Sequence, residues 1–154
     1  MKPWIWLRSS VTAILMTIAL IAVFDRRASV ETLSIRFVSG PVVAGERVIV
    51  QWTVKELRGA WGGGSCGGLI YPRWIDSSGA VSDNSLQPDA IPFREFRGSE
   101  PQTFQRPRLV PPELMPGEAT FAPWTIRWCN PLQKWIWPMR DELPKVHFTV
   151  SPKS

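Results

Sequence analysis

The arrangement of hydrophobic and polar residues changes near residue 30. Residues 9–24 form an apolar run without a charge, glycine or proline. A run of this kind predicts a helix that is surrounded by protein or lipid on every side. Beyond residue 30 apolar residues alternate with polar ones, which is the period of strands with one face in a core. We therefore expect one N-terminal helix followed by a β-rich domain.

The N-terminal run is predicted to be a transmembrane anchor. At about 1.5 Å per residue, residues 9–24 extend roughly 24 Å, and a start at residue 4 brings the helix close to the roughly 30 Å of a hydrocarbon core. Residue types that suit a membrane interface flank the run: Trp4, Trp6, Arg8, Arg26 and Arg27. The lipid bilayer is thus one expected partner, and the small residues Ser9, Ala13 and Thr17 have a spacing that would allow a homodimer through the anchor helix.

The alternative to an anchor is a cleaved signal peptide, which would release a soluble exported domain. The residues that follow the apolar run, from Ala22 to Ala28, include Phe24, Asp25 and two arginines. A signal-peptide cleavage site needs small residues at such positions. This part of the sequence therefore favours an uncleaved anchor.

Four segments alternate clearly enough to be predicted as strands. They are residues 33–37, 48–55, 122–128 and 146–150, with weaker candidates at 69–75 and 91–97. Fourteen of the 15 prolines follow residue 40, which leaves little room for further helices. Residues 99–116 are expected to form a long loop with one short edge strand, because proline in sheets is confined to edges and bulges.

The expected fold is all-β, with about six or seven short antiparallel strands and no second domain. Together with the approach to a penultimate strand around Pro116-Gly117-Glu118 and Cys129, this arrangement resembles an immunoglobulin-like ectodomain over residues 31–151. The resemblance implies a β-sandwich and carries no function. The expected organisation, in order, is a cytoplasmic N-terminus (1–8), a transmembrane anchor (9–24, or 4–24), a linker (25–32) and an Ig-like extracytoplasmic domain (33–151).

Cys66 and Cys129 are the two cysteines of the chain. Because they follow an export segment, they are predicted to form a disulfide, which requires the domain to lie outside the cytoplasm. The alternative is a pair of reduced, buried thiols in a cytoplasmic domain. With the disulfide, the expected location is the plasma (inner) membrane, with a single span and a C-terminal domain on the periplasmic side.

Charge and composition exclude several classes of function. Lys and Arg number 18 against 13 Asp and Glu, but the first 29 residues hold four of the basic residues and one acidic residue. The remaining domain is nearly balanced, so nucleic acid is not an expected partner. One histidine and two cysteines are too few for the common zinc sites. We expect no metal and no cofactor.

The carboxylates allow a structural and a catalytic interpretation. Asp76, Asp83 and Asp89 lie among turn residues, where aspartate caps the local backbone. A pair drawn from Asp76, Glu95, Asp141 and Glu142 is the basis of the alternative hypothesis, an envelope-polymer hydrolase. His147 lies on the polar face of the last predicted strand and is expected to be exposed. A basic stretch formed by Arg94, Arg97, Arg106 and Arg108 is expected to be a solvated surface.

Nine tryptophans are the most unusual feature of the composition. Trp52, Trp124 and Trp128 lie on the expected inward faces of their strands. Trp61, Trp135 and Trp137 lie near the two cysteines, so the disulfide would gather them at one end of the domain. Such rings either cover the end of the core or bind a protein or glycan partner. The hypothesis is therefore a non-enzymatic binding or scaffolding domain that acts close to the membrane surface.

Overall fold

The computed structural model describes residues 3–24, 30–57, 66–83, 88–91 and 100–152, with side chains at residues 8–20 of the first helix. Two helices and twelve strands lie in these ranges. They are α1 (Pro3–Phe24), β1 (Val30–Phe37), β2 (Val42–Val43), β3 (Arg47–Glu56), β4 (Gly67–Tyr71), β5 (Arg73–Ile75), β6 (Val81–Asp83), β7 (Asp89–Ala90), β8 (Gln102–Leu109), β9 (Gly117–Phe121), β10 (Trp124–Trp128), α2 (Pro131–Trp135), β11 (Met139–Glu142) and β12 (Val146–Ser151).

The strands form three sheets. Their orders are β1-β3-β8, β11-β10-β4-β7 and β2-β12-β9-β5-β6. All paired strands are antiparallel except β2 and β12, which run parallel. The predicted all-β domain is confirmed at this level. The expected number of strands was too low, since several of the observed strands have only two or three residues and leave little trace in a hydrophobic pattern.

The clearest alternating segments are strands, as predicted. Residues 33–37 belong to β1, 48–55 to β3 and 146–150 to β12. The expected loop over residues 99–116 is wrong in its main part, because β8 is an eight-residue strand that pairs along β3. Pro107 is compatible with this pairing because β8 is an edge strand, with no neighbour on its other side in the described sheet.

Aromatic rings fill the centre of the core. Trp74 and Phe121 are fully buried, and their ring centroids lie 4.6 Å apart. Phe148 meets the Trp74 ring edge-on at 5.7 Å, and Phe37 stacks on it at 6.0 Å. Trp52, which is also buried, approaches Phe121 edge-on at 6.0 Å. These contacts join β1, β3, β5, β9 and β12 into one core.

The face of β10 that points into the core is the opposite of the predicted one. Thr125 and Arg127 are buried, whereas Trp124 and Trp128 are only half-buried on the other face. Burial of the two polar residues is possible because their polar groups are satisfied: the guanidinium of Arg127 pairs with Asp141, and the hydroxyl of Thr125 donates to the Asp141 carbonyl at 3.4 Å.

Helix α1 extends to Pro3, beyond the shorter predicted limit at residue 9. Between residues 8 and 20 every side chain is exposed except that of Ala19, which is half-buried. In the ranges that the structure describes, no helix combines the length and the apolar character needed to cross a membrane.

Candidate functional site

A disulfide between Cys66 and Cys129 ties β4 to β10 at one end of the domain. Both cysteines are buried, and their Cα atoms lie 4.2 Å apart. The cysteines lie next to the register pair Gly67 and Trp128 on the adjacent strands. A Cβ at Gly67 would overlap the Trp128 indole, so glycine is needed for that ring to lie over β4.

Helix α2 follows Cys129 directly and is fixed to the disulfide. The Asn130 side chain accepts from the Gln133 backbone N–H at 2.9 Å as an N-cap, and Pro131 occupies the first turn. The Gln133 side chain, almost fully buried, accepts from the Cys129 backbone N–H at 2.8 Å. An asparagine followed by a proline is typical of a helix start.

Three consecutive apolar residues at the end of α2 face the solvent. Trp135 is 77% exposed, Ile136 68% and Trp137 52%. We call residues 135–137 the aromatic tip. Lys134 lies beside it, with its Nζ atom 5.1 Å from the Trp135 ring centroid and 6.0 Å from that of Trp128. The tip and Lys134 thus place two exposed indole rings and an ammonium group within four consecutive residues, at the end of α2 and just beyond it.

Most of the other residues that were predicted to contact a partner or the membrane interface lie outside the part of the chain that the structure describes. Trp61, Arg26 and Arg27 lie outside the described residues, as do the side chains of Trp4 and Trp6. Arg8 is exposed on α1.

The first strand enters the domain close to the same end. The Nη1 atom of Arg127, two residues before Cys129, donates to the backbone oxygen of Val30 at 2.9 Å. Arg127 also donates to Asp141 on β11 through its Nε atom, at 3.1 Å. In addition, helices α1 and α2 contact each other. The start of β1, the disulfide and α2 are therefore grouped on the side of the domain where the chain arrives from α1.

A cavity of about 230 Å³ extends between β1, β3 and β8 on one side and β4, β10 and β11 on the other. Its polar groups include Arg127, Thr125 and Asp141, and its apolar wall includes Trp52 and Ile70. The buried Nε1 atom of Trp52 has no hydrogen-bond partner within the described part of the chain. Sequence reasoning missed this cavity because it assigned Thr125 and Arg127 to the outer face. The cavity offers space for a small apolar group.

The carboxylates that were considered for catalysis have structural partners. Asp76 accepts from the Ser78 hydroxyl at 2.6 Å and from the backbone N–H groups of Ser78 and Ala80, each at 2.9 Å. These hydrogen bonds, that of the Ser78 side chain above all, lower the pKa of Asp76, so the predicted turn cap is confirmed. Asp141 pairs with Arg127, whereas Glu142 is exposed. Glu95 lies outside the described residues, as does the side chain of Asp83.

One prediction about surface charges is wrong. Asp89, which was expected to cap its own turn, forms an ion pair with Arg108. Arg108, expected in a solvated stretch, is buried, and burial lowers its pKa although Asp89 partly opposes this shift. The side chain of Arg106 lies over the Phe104 ring at 5.6 Å, and Arg94 and Arg97 lie outside the described residues.

His147 is exposed on β12, as predicted. Its Nδ1 atom lies 3.0 Å from the Thr120 hydroxyl on the neighbouring strand β9. This contact links the His147 side chain on β12 to β9 at the surface of the sheet.

Comparison with known proteins gives no family for this chain. No protein-family model matches the sequence, and no curated protein matches it. Among solved structures, the chain is similar to the Pseudomonas fluorescens alkylpurine DNA glycosylase AlkC bound to DNA (12% identity, 87% of this chain, 33% of that chain, TM-score 0.48). It is also similar to the C-terminal domain of wzt (9% identity, 83% of this chain, 76% of that chain, TM-score 0.49). A third similar structure is a PapD-like domain of human CEP192 (13% identity, 82% of this chain, 87% of that chain, TM-score 0.37). Likenesses at this level carry no function to the chain.

Proposed function

We propose that this protein is a non-enzymatic binding or scaffolding domain, held by α1 at the outer face of the plasma membrane, and that the aromatic tip is its contact surface. The observation that carries the proposal is the exposure of Trp135, Ile136 and Trp137, at the end of a helix that is held next to a disulfide and just beyond that end. Large exposed apolar side chains on a rigid support are typical of interaction surfaces, since they lose little entropy when they bind.

Two features support the extracytoplasmic location. The Cys66–Cys129 disulfide is typical of an oxidising compartment. Within helix α1 no charged residue follows Arg8, so residues 9–24 suit an apolar surrounding. The proposal therefore treats α1 as an uncleaved anchor and the β-domain as a periplasmic domain.

We take the β-domain to be an Ig-like sandwich. This assignment is supported by the cavity whose walls come from strands of two different sheets, as expected where sheets pack face to face. In such a sandwich the connections between strands lie at the two ends. Helix α2 lies in the connection between β10 and β11, which would place the aromatic tip at one end of the domain.

The hydrolase hypothesis has weaker support. A glycosidase needs two carboxyl groups that face one substrate, one of them as an acid. The carboxylate of Asp76 accepts hydrogen bonds within its own turn, and these lower its pKa, which is unsuitable for an acid catalyst. The carboxylate of Asp141 pairs with Arg127. We therefore favour the binding function.

The contact surface is tested by photo-crosslinking of the full chain in intact cells. When p-benzoylphenylalanine replaces Trp135 or Trp137, we expect adducts with another molecule of the envelope. The matched controls are Val81 on β6 and Leu109 on β8, which are 57% and 48% exposed and belong to the other two sheets. Adducts at positions 135 and 137 together with background at 81 and 109 support the proposal. Background at all four positions contradicts it.

A further inference from the structure

We infer that the aromatic tip binds the membrane itself and lies among the lipid head groups beside α1. The inference rests on the proposed function, since it names the partner of the same surface. It assigns lipid contact to Trp135, Ile136 and Trp137, in addition to the anchor. The domain would then be held at the bilayer by two contacts, the helix α1 and the tip of α2.

Covalent geometry brings the tip near the bilayer. The steps from Phe24, the last residue of α1, to Val30, the first of β1, extend at most about 22 Å. Val30 is hydrogen-bonded to Arg127, and from Arg127 to Pro131 the chain extends at most about 14 Å. The contact between α1 and α2 agrees with this short path. The end of the domain that carries the tip is thus the end that faces the anchor.

The surface of α1 continues the apolar character of the tip. Ile14, Leu15 and Met16 are between 58% and 61% exposed, and Val11, Ile18 and Leu20 are exposed as well. A helix that is apolar on all its faces requires a nonpolar surrounding. Because α2 contacts α1, the tip lies close to the medium that surrounds α1.

The chemistry of the tip matches the boundary between lipid and water. Indole rings combine a large apolar surface with an N–H donor, which is why tryptophan is enriched at membrane interfaces. Residues 131–140 contain Lys134 and Arg140 and no acidic residue. Basic side chains next to apolar ones are attracted by anionic phospholipids. Binding to a protein would not require indole rings, basic neighbours and a position next to α1 all together, whereas binding to a lipid surface explains all three.

The rigid support favours insertion over a loose contact. The Asn130 cap and the hydrogen bond from Cys129 to Gln133 hold α2 against the disulfide. The three side chains are therefore presented together, and little ordering entropy is lost when they enter the head-group region.

The inference is tested with the purified full chain in vesicles of phosphatidylethanolamine and alkyne-tagged phosphatidylglycerol, which contain no other protein. p-Benzoylphenylalanine replaces Trp135, Trp137, Val81 or Leu109 in separate samples, and adducts are detected through the alkyne. We expect lipid adducts at 135 and 137, and background at 81 and 109. Equal lipid labelling at all four positions would overturn the inference.

The vesicle result separates the inference from the proposed function. If positions 135 and 137 give protein adducts in cells but no lipid adducts in vesicles, the tip is a protein-binding surface. The proposed function then stands and the lipid inference is wrong. If the two positions give no adducts in cells or in vesicles, both are wrong.

Discussion

Replacing Trp74 by Ala is expected to lower the thermal midpoint of the full chain by about 10–20 °C. Trp74 is fully buried and contacts Phe37, Phe121 and Phe148. Removing so large a side chain from a packed core costs about 3–5 kcal/mol, which corresponds to such a shift for a domain of this size. The midpoint is measured by near-ultraviolet circular dichroism of the detergent-solubilised protein.

Two control variants show whether the loss comes from the core. The buried Nε1 atom of Trp74 has no hydrogen-bond partner among the described residues. Trp74→Phe removes this buried N–H and keeps one ring, so we expect a loss of only about 1–2 kcal/mol. Trp135→Ala removes a ring that is 77% exposed and should change stability by no more than about 0.5 kcal/mol. A loss with Trp135→Ala equal to that with Trp74→Ala would contradict the assignment of Trp135 to the surface.

Removing the disulfide is the second change with a large expected effect. Cys66 and Cys129 lie 63 positions apart in the sequence. In the chain-entropy description, a closed loop of that length stabilises the fold by about 4 kcal/mol, through restriction of the unfolded chain. The variant with both Cys66→Ser and Cys129→Ser should therefore unfold at a midpoint about 10–15 °C lower.

Reductant provides the control for this prediction. Dithiothreitol should lower the midpoint of the natural sequence to nearly that of the double serine variant, and it should leave the variant unchanged. Because α2 begins two residues after Cys129, the loss should include greater mobility of the aromatic tip. Equal midpoints of the natural sequence with and without reductant would show that the disulfide does not hold this end of the domain.

The strands with the clearest hydrophobic alternation could be predicted from the sequence. In β3, Val48, Val50, Trp52 and Val54 are all buried, as the period of two requires. The exposed position of His147 on β12 follows from the same rule. Hydrophobic burial decides the orientation of such strands, so local sequence was sufficient.

The orientation of β10 could not be predicted in this way. Its apolar residues suggested that Trp124 and Trp128 face the core. The structure buries Thr125 and Arg127, because β11 places Asp141 beside both of them. The outward Trp124 ring is covered in part by Tyr71, which stacks on it at 4.3 Å. The pairing of β10 with β11 decided the outcome, because it brings Asp141 to the side chain of Arg127, 14 positions earlier, and no local pattern reveals this contact.

The candidate contact surface was predicted in part. The positions of Trp135 and Trp137 near Cys129 suggested a cluster at the disulfide, and the structure exposes both, Trp135 as the last residue of α2 and Trp137 two residues later. Helix α1 contacts α2, and a hydrogen bond joins Arg127 to Val30, 97 positions away in sequence. Because such contacts join distant parts of the chain, the side of the domain on which the chain arrives from α1 could not be derived from the sequence.

We expect the domain to lie in an oxidising compartment beside the membrane, and thiol labelling is the decisive measurement. Intact cells are precipitated with acid, dissolved in denaturant at neutral pH, and treated with a maleimide-linked polyethylene glycol, with or without prior reduction. Denaturant is needed because Cys66 and Cys129 are both buried. We expect no mass shift of the full chain before reduction and a shift of two labels after it. Labelling of both cysteines without reductant would show that the disulfide is absent in the cell and that the domain is not in an oxidising compartment.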